Sequence, residues 1–287
     1  MLRQENVKRL IVNADDFGLD PAVNCGIIQA HELGIVTNTS LLCCGAAFDE
    51  AAEFGRNHKD LGVGIHLALN EENPVSPRDK ISSLLDKDKE CLLSYADFLK
   101  KFLSGRIALT QVYLEFESQI NKFIGAGLRP THLDSHKHIH LIPGILEVVL
   151  ELAVKFHISG LRLPRLPLLV NFKTKRYPRA IGVWGLSVLS NIQLHKIKKY
   201  LIKVPDYCYG LIESGRLTEA DLAGILNNLP NGTNEIICHP GLLTPDLSSR
   251  YKWGYHWLTE LNGLSSPVIK TRVKDLNIQL IRYDEIR

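Results

Sequence analysis

The chain has 287 residues, 45% of them apolar, with 34 Lys and Arg against 31 Asp and Glu for a formal charge of +3. Such a chain can bury a full core, as one large α/β domain or two small ones. No segment approaches the roughly 18 apolar residues of a membrane span, and a cytoplasmic protein is expected.

The first element is RLIVNADDFGLD, residues 9–20, which is apolar or β-branched and then ends on two adjacent carboxylates, Asp15 and Asp16. Helix capping does not need them. Asp20 already occupies an N-cap position, with Pro21 at the first helical residue and Gly34 at the far end, which predicts a helix over 20–33. Further strands are expected near 35–43, 61–69, 130–136, 161–164, 206–210, 234–239 and 278–283. Between them helical periodicity marks 46–57, 93–103, 108–126, 143–157, 187–201, 217–228 and 255–262, and polar residues 71–92 read as a long loop. Alternating β and α implies a parallel sheet. No linker or repeat divides the chain, so one domain over 1–287 is expected. Seven or eight units favour a TIM-like (β/α) barrel, allowing for distortion or an incomplete ring. An open doubly wound sheet is the alternative, but no G-x-G-x-x-G follows the first strand.

The six cysteines contain no C-x-x-C pair and read as reduced, mostly buried thiols. Charge is unevenly spread. From Leu152 to Pro205 there is no Asp or Glu while eleven Lys and Arg occur, so the rest of the chain carries 23 basic against 31 acidic residues. An anionic partner or surface is expected at the basic segment; nucleic acid is not.

In a barrel the carboxyl ends of the strands converge on one face. There stand Asp15 and Asp16, His66 of GIHLAL, the run THLDSHKHIH and His239 of CHPG. His66 or His239 alone reads as an ordinary hydrogen-bonded core residue. In the run, His132, Asp134, His136, His138 and His140 share one parity and project from one face while the chain is extended. A carboxylate with imidazoles is a ligand set for Zn²⁺ and other divalent ions. Asp15 and Asp16 can serve one site only if the strand ends or bends there, because neighbours in a regular strand face opposite ways. Gly18 favours such a turn.

Together, IVNADDFGLDPAVNCGIIQAHELGIVTNTSLL, GIHLAL, THLDSHKHIHLIP and CHPG resemble the YdjC-like carbohydrate deacetylases, across most of the chain. The resemblance implies a TIM-like barrel that removes the acetyl group from an N-acetylated sugar or glycolipid. It assigns one divalent ion, Mg²⁺ or Zn²⁺ with Co²⁺ and Mn²⁺ as alternatives, to Asp16, His66 and His136. Asp15 becomes the base and His239 the proton donor to the departing amine. His138, His140, Asp134 and Arg162 become substrate-contacting or supporting groups. LRLPR and SGRLTEADLAGILNNLPNGTNEIICHPG look more like a subgroup associated with hopanoid biosynthesis. That gives residues 173–203 a meaning, as a peripheral contact with anionic lipid at the inner face of the membrane. The competing readings of the segment are a solvated helix face and a homodimer contact. For the chain as a whole they are a metal-dependent phosphoesterase and a non-catalytic sugar-binding barrel.

Overall fold

The structure is a computed structural model and describes residues 7–86, 88, 91–167 and 177–287. Lys173, Lys175 and Arg176 of the basic segment lie outside the described residues. Seven strands form one parallel sheet: β1 (Lys8–Phe17), β2 (Asn38–Leu41), β3 (Gly62–Leu67), β4 (Leu133–Ser135), β5 (Tyr207–Tyr209), β6 (Gly232–Cys238) and β7 (Ile278–Leu280). The order is β4-β3-β2-β1-β6-β5, with β7 paired to the start of β1.

The sheet curls. Backbone bonds from residues 159–165 span its two edges: Arg162 N–H donates to Leu133, Leu161 N–H to Lys203, and Cys208 N–H to the Arg165 carbonyl. The region expected as a strand at 161–164 is therefore a bridging segment with isolated pairings. This architecture is consistent with a distorted TIM-like barrel.

β1 shows how two faces are filled. Leu10, Val12 and Ala14 pack into the large core beneath the surrounding helices, while Ile11 joins Ile281, Tyr283 and Ile286 in a separate inner cluster. The C-terminal turn thus plugs one end of the sheet's interior. Above it the inner face turns polar, with Asn13 and Asp15 following Ile11 at spacing two. On β3 the inner face stays small, because a Cβ added to Gly64 would lie 2.2 Å from the His132 ring. That imidazole stacks on Tyr283 at 3.8 Å.

Helices match the expected places with three differences. The helix expected over 187–201 runs from Tyr177 to Lys198, and Pro245–Arg250 and Pro267–Asp275 are helices that periodicity did not mark. Both of the latter carry Pro in the first turn behind a Thr or Ser whose side chain caps the helix. None of the described helices is long and apolar enough to cross a membrane.

Candidate active site

The strand carrying both aspartates does not run straight. Asp16 has φ +67°, and the β1–β2 register shifts between Ala14 and Phe17. A left-handed residue breaks the two-residue alternation, so Asp15 and Asp16 both turn inward, 4% and 2% exposed. Asp tolerates this region better than most residues do. Gly18, at φ +86°, completes the bend, and its N–H donates to Asn24 Oδ1. Asp20 caps the helix as expected, accepting from the Ala22 N–H.

Asp16 meets two imidazoles. Its Oδ1 lies 3.2 Å from His136 Nδ1 and 3.5 Å from His66 Nε2. One donor atom from each residue falls within 4.8 Å of the others. Burial alone would raise the Asp16 carboxyl, but the His136 hydrogen bond and the surrounding imidazoles pull it well below its usual range. His66 Nδ1–H donates to Asp134 Oδ1, 2.8 Å away. Burial disfavours a charged His66, yet Asp134 overcomes this and raises it to about 9. Second-sphere carboxylates of this kind fix the orientation of a metal-ligating imidazole. A carboxylate and two imidazoles with open positions fit a divalent cation in type, number and spacing.

Asp15 belongs to a different network. Arg162, wholly buried, grips it with two 2.7 Å bonds, Nη1 to Oδ2 and Nη2 to Oδ1, while Asn13 Nδ2 donates to Oδ1 at 2.8 Å. The same guanidinium pairs through Nη1 with Asp134 and through Nε with Glu235 at 2.9 Å. Despite burial, those carboxylates hold Arg162 firmly charged. Burial pushes Glu235 up from its ordinary value, against the pull of Arg162. Asp15, His66 and Asp134 also lie close enough to hold an ion, but the guanidinium already occupies oxygens of both carboxylates of that group.

The histidine run divides after β4. His132 lies between Ser40 Oγ at 3.1 Å and Thr131 Oγ1 at 3.0 Å, and burial lowers it to about 3. Beyond Ser135 the chain leaves the extended form, with Lys137 and His138 at φ +56° and +57°. The shared parity of the five residues therefore ends at His136, which the turn directs at Asp16. His140 faces Ser135 Oγ at 2.6 Å and the Arg162 carbonyl at 3.1 Å. With both ring nitrogens occupied, it pins the turn to the bridging segment that carries Arg162.

A cavity of about 500 Å³ opens over these groups, lined by Asp15, His66, His136, His138 and His239. Val183, Leu186, Leu211 and Ile237 give it apolar wall, and the Tyr255 ring packs edge-on to His239 at 4.9 Å. Trp253 lies 5.3 Å from His136. His239 Nδ1 is buried without a hydrogen-bond partner. Burial pulls His239 below its usual range, opposed by Asp15 and Asp16.

Glu235 and Glu260 escaped sequence reasoning, although each is a lone charge in an apolar stretch, in NEIIC and WLTEL. Glu260 Oε2 accepts from the His239 N–H and Oε1 from the Leu217 N–H, fixing the turn after β6. Burial raises it to about 7 despite these bonds. A carboxyl whose folded pKa lies above its unfolded value of about 4.5 binds its proton more tightly when folded. Its contribution to stability is full below pH 4.5 and is lost as pH rises to 7. Glu260→Gln is expected to flatten the stability profile across that window, by on the order of 3 kcal/mol, as read from urea midpoints at several pH values.

Residues 9–275 match the model of the YdjC-like protein family. A carbohydrate deacetylase from Clostridium beijerinckii is 31% identical, over 97% of this chain and all of its own. One from Mus musculus is 30% identical, over 97% of this chain and 94% of its own. A crystal structure from Enterococcus faecalis, of a protein named for cellobiose-phosphate cleavage, superposes with a TM-score of 0.77 at 30% identity, covering 97% and 98% of the two chains.

Proposed function

The chain belongs to the YdjC-like family, and from that premise we propose that it is a metal-dependent carbohydrate deacetylase, cleaving the acetamido C–N bond of an N-acetylated amino sugar. The reading is carried by the Asp16, His66 and His136 donors lying beside Asp15 and His239 at one cavity. Relatives covering nearly all of the chain are named for the same activity.

When bound, a divalent ion at that cluster supplies a Lewis acid that polarises the acetyl carbonyl and acidifies the attacking water. Asp16, His66 and His136 hold it, with His66 aimed by Asp134. Asp15, held in place by Arg162 and Asn13, takes the proton from the water as its oxygen bonds to the carbonyl carbon. The C–N bond then breaks. His239 delivers a proton to the departing nitrogen, because an unprotonated amine is a poor leaving group. The products are acetic acid, which ionises to acetate and a proton, and the free amino sugar, with one proton moved from water to nitrogen.

Multi-metal phosphoester hydrolysis is the weaker reading, because Arg162 already occupies carboxylate oxygens of the neighbouring acidic group that a second ion would need. The test measures acetate release from N-acetylglucosamine and its oligomers with Zn²⁺, Mg²⁺, Mn²⁺ or Co²⁺, beside phosphate release from a generic phosphate ester. Acetate that stops on chelation and returns with the ion supports the proposal; phosphate release alone, or neither product, overturns it. Asp134→Asn is expected to weaken ion binding roughly 10–100-fold through loss of the His66 contact, measured by calorimetric titration.

A further inference from the structure

The helix Tyr177–Lys198 presents two unlike faces. Arg179, Gly182, Val183 and Leu186 line the cavity over the site. On the opposite side Ile181, Trp184, Val188 and Ile192 recur at helical spacing and are 70%, 59%, 39% and 68% exposed. Beyond the helix end Tyr200 and Leu201 are exposed too, Leu201 at 87%. Six of the fourteen large exposed apolar side chains among the described residues thus fall within 181–201. Single apolar residues on a surface are ordinary, but a continuous stripe calls for an occupant.

We propose that this stripe seats the protein on an anionic lipid bilayer surface, with the cavity wall formed by the helix's other face. The charge around it selects the occupant. From residue 152 to residue 205 there is no carboxylate side chain, and Lys198 and Lys199 are exposed where the apolar stripe ends. Lys155 and Lys196 are engaged with Glu117 and Glu147, so among the described residues Lys198 and Lys199 are the exposed lysines at the end of the stripe. A second copy meeting this face across a two-fold axis would set like charge against like, whereas anionic headgroups complement it. Trp and the stems of Lys suit the boundary between acyl chains and headgroups. The consequence rests on the deacetylase reading: the enzyme acts on N-acetylated sugars presented at a lipid surface.

The test is flotation of the intact protein with phosphatidylcholine vesicles, with and without phosphatidylglycerol, at low and high salt. Binding to the anionic vesicles that weakens with salt, and falls at least tenfold in Trp184→Ser/Ile192→Ser, is expected. Acetate release from a soluble N-acetylated sugar is unchanged in that variant. No binding at low salt overturns the proposal, as does a dimer in solution that the same substitutions dissociate without any vesicle binding. Vesicle binding with no acetate release from any sugar would remove the deacetylase reading and leave the docking surface standing.

Discussion

Asp15→Asn lowers acetate release about 10²–10⁴-fold, the usual contribution of a general base, while the ion stays bound. The substitution is nearly isosteric, and Asp15 supplies no donor atom to the Asp16, His66 and His136 cluster, so ion affinity is the control that separates a chemical loss from a structural one. His239→Ala is the companion measurement. Its loss is expected to be of similar size on an acetamido sugar and much smaller on an acetyl ester with an acidic phenol leaving group, which departs without a proton. If both variants keep full activity on the sugar, the assigned roles are wrong. If the phenyl ester is hit as hard as the amide, His239 is not the acid.

Arg162→Met produces the largest loss of stability. Asp15, Asp134 and Glu235 converge on one buried guanidinium, and removing it strands their charge in the interior. Breaking a buried pair by deleting one partner costs roughly 3–5 kcal/mol, here on the order of a 10 °C fall in melting temperature. Arg162→Lys is the sharper experiment. A single ammonium cannot span the two Asp15 oxygens and also reach Glu235, so stability recovers in part while the deacetylase rate does not. Calorimetry and acetate release measured on the same samples separate the two effects; a Lys variant with full rate would mean that the two-pronged grip on Asp15 is dispensable.

The sequence made the element order and the candidate cluster legible because both rest on local signals: alternation, caps, and polar residues at strand ends. The long-range network was not legible. Arg162 stands 147 residues from Asp15 and 73 from Glu235, and nothing in LRLPR signals a guanidinium wholly buried among three acids. The histidine run misled for a backbone reason. Parity is meaningful only in extended chain, and two left-handed residues at 137 and 138 scatter the later imidazoles into separate environments. The paired aspartates gave the opposite lesson, since Gly18 announced a bend whose crucial residue is Asp16 itself. The early start of the helix at Tyr177 was masked by Gly182 and Gly185, weak helix formers within an apolar run.

The bridging segment that closes the sheet also sets an order of assembly. A chain emerging from the ribosome can pair β1, β2, β3 and β4 through contacts among its first half, but the guanidinium that bridges Asp15 and Asp134 is missing until Arg162 appears. Glu235 and the His239 turn arrive later still, with β6. Contacts of such separation are closed late because the loop entropy must be lost first. The base and its holder therefore mature together, near the end of folding, and an intermediate with most of its strands in place would still lack a working proton acceptor.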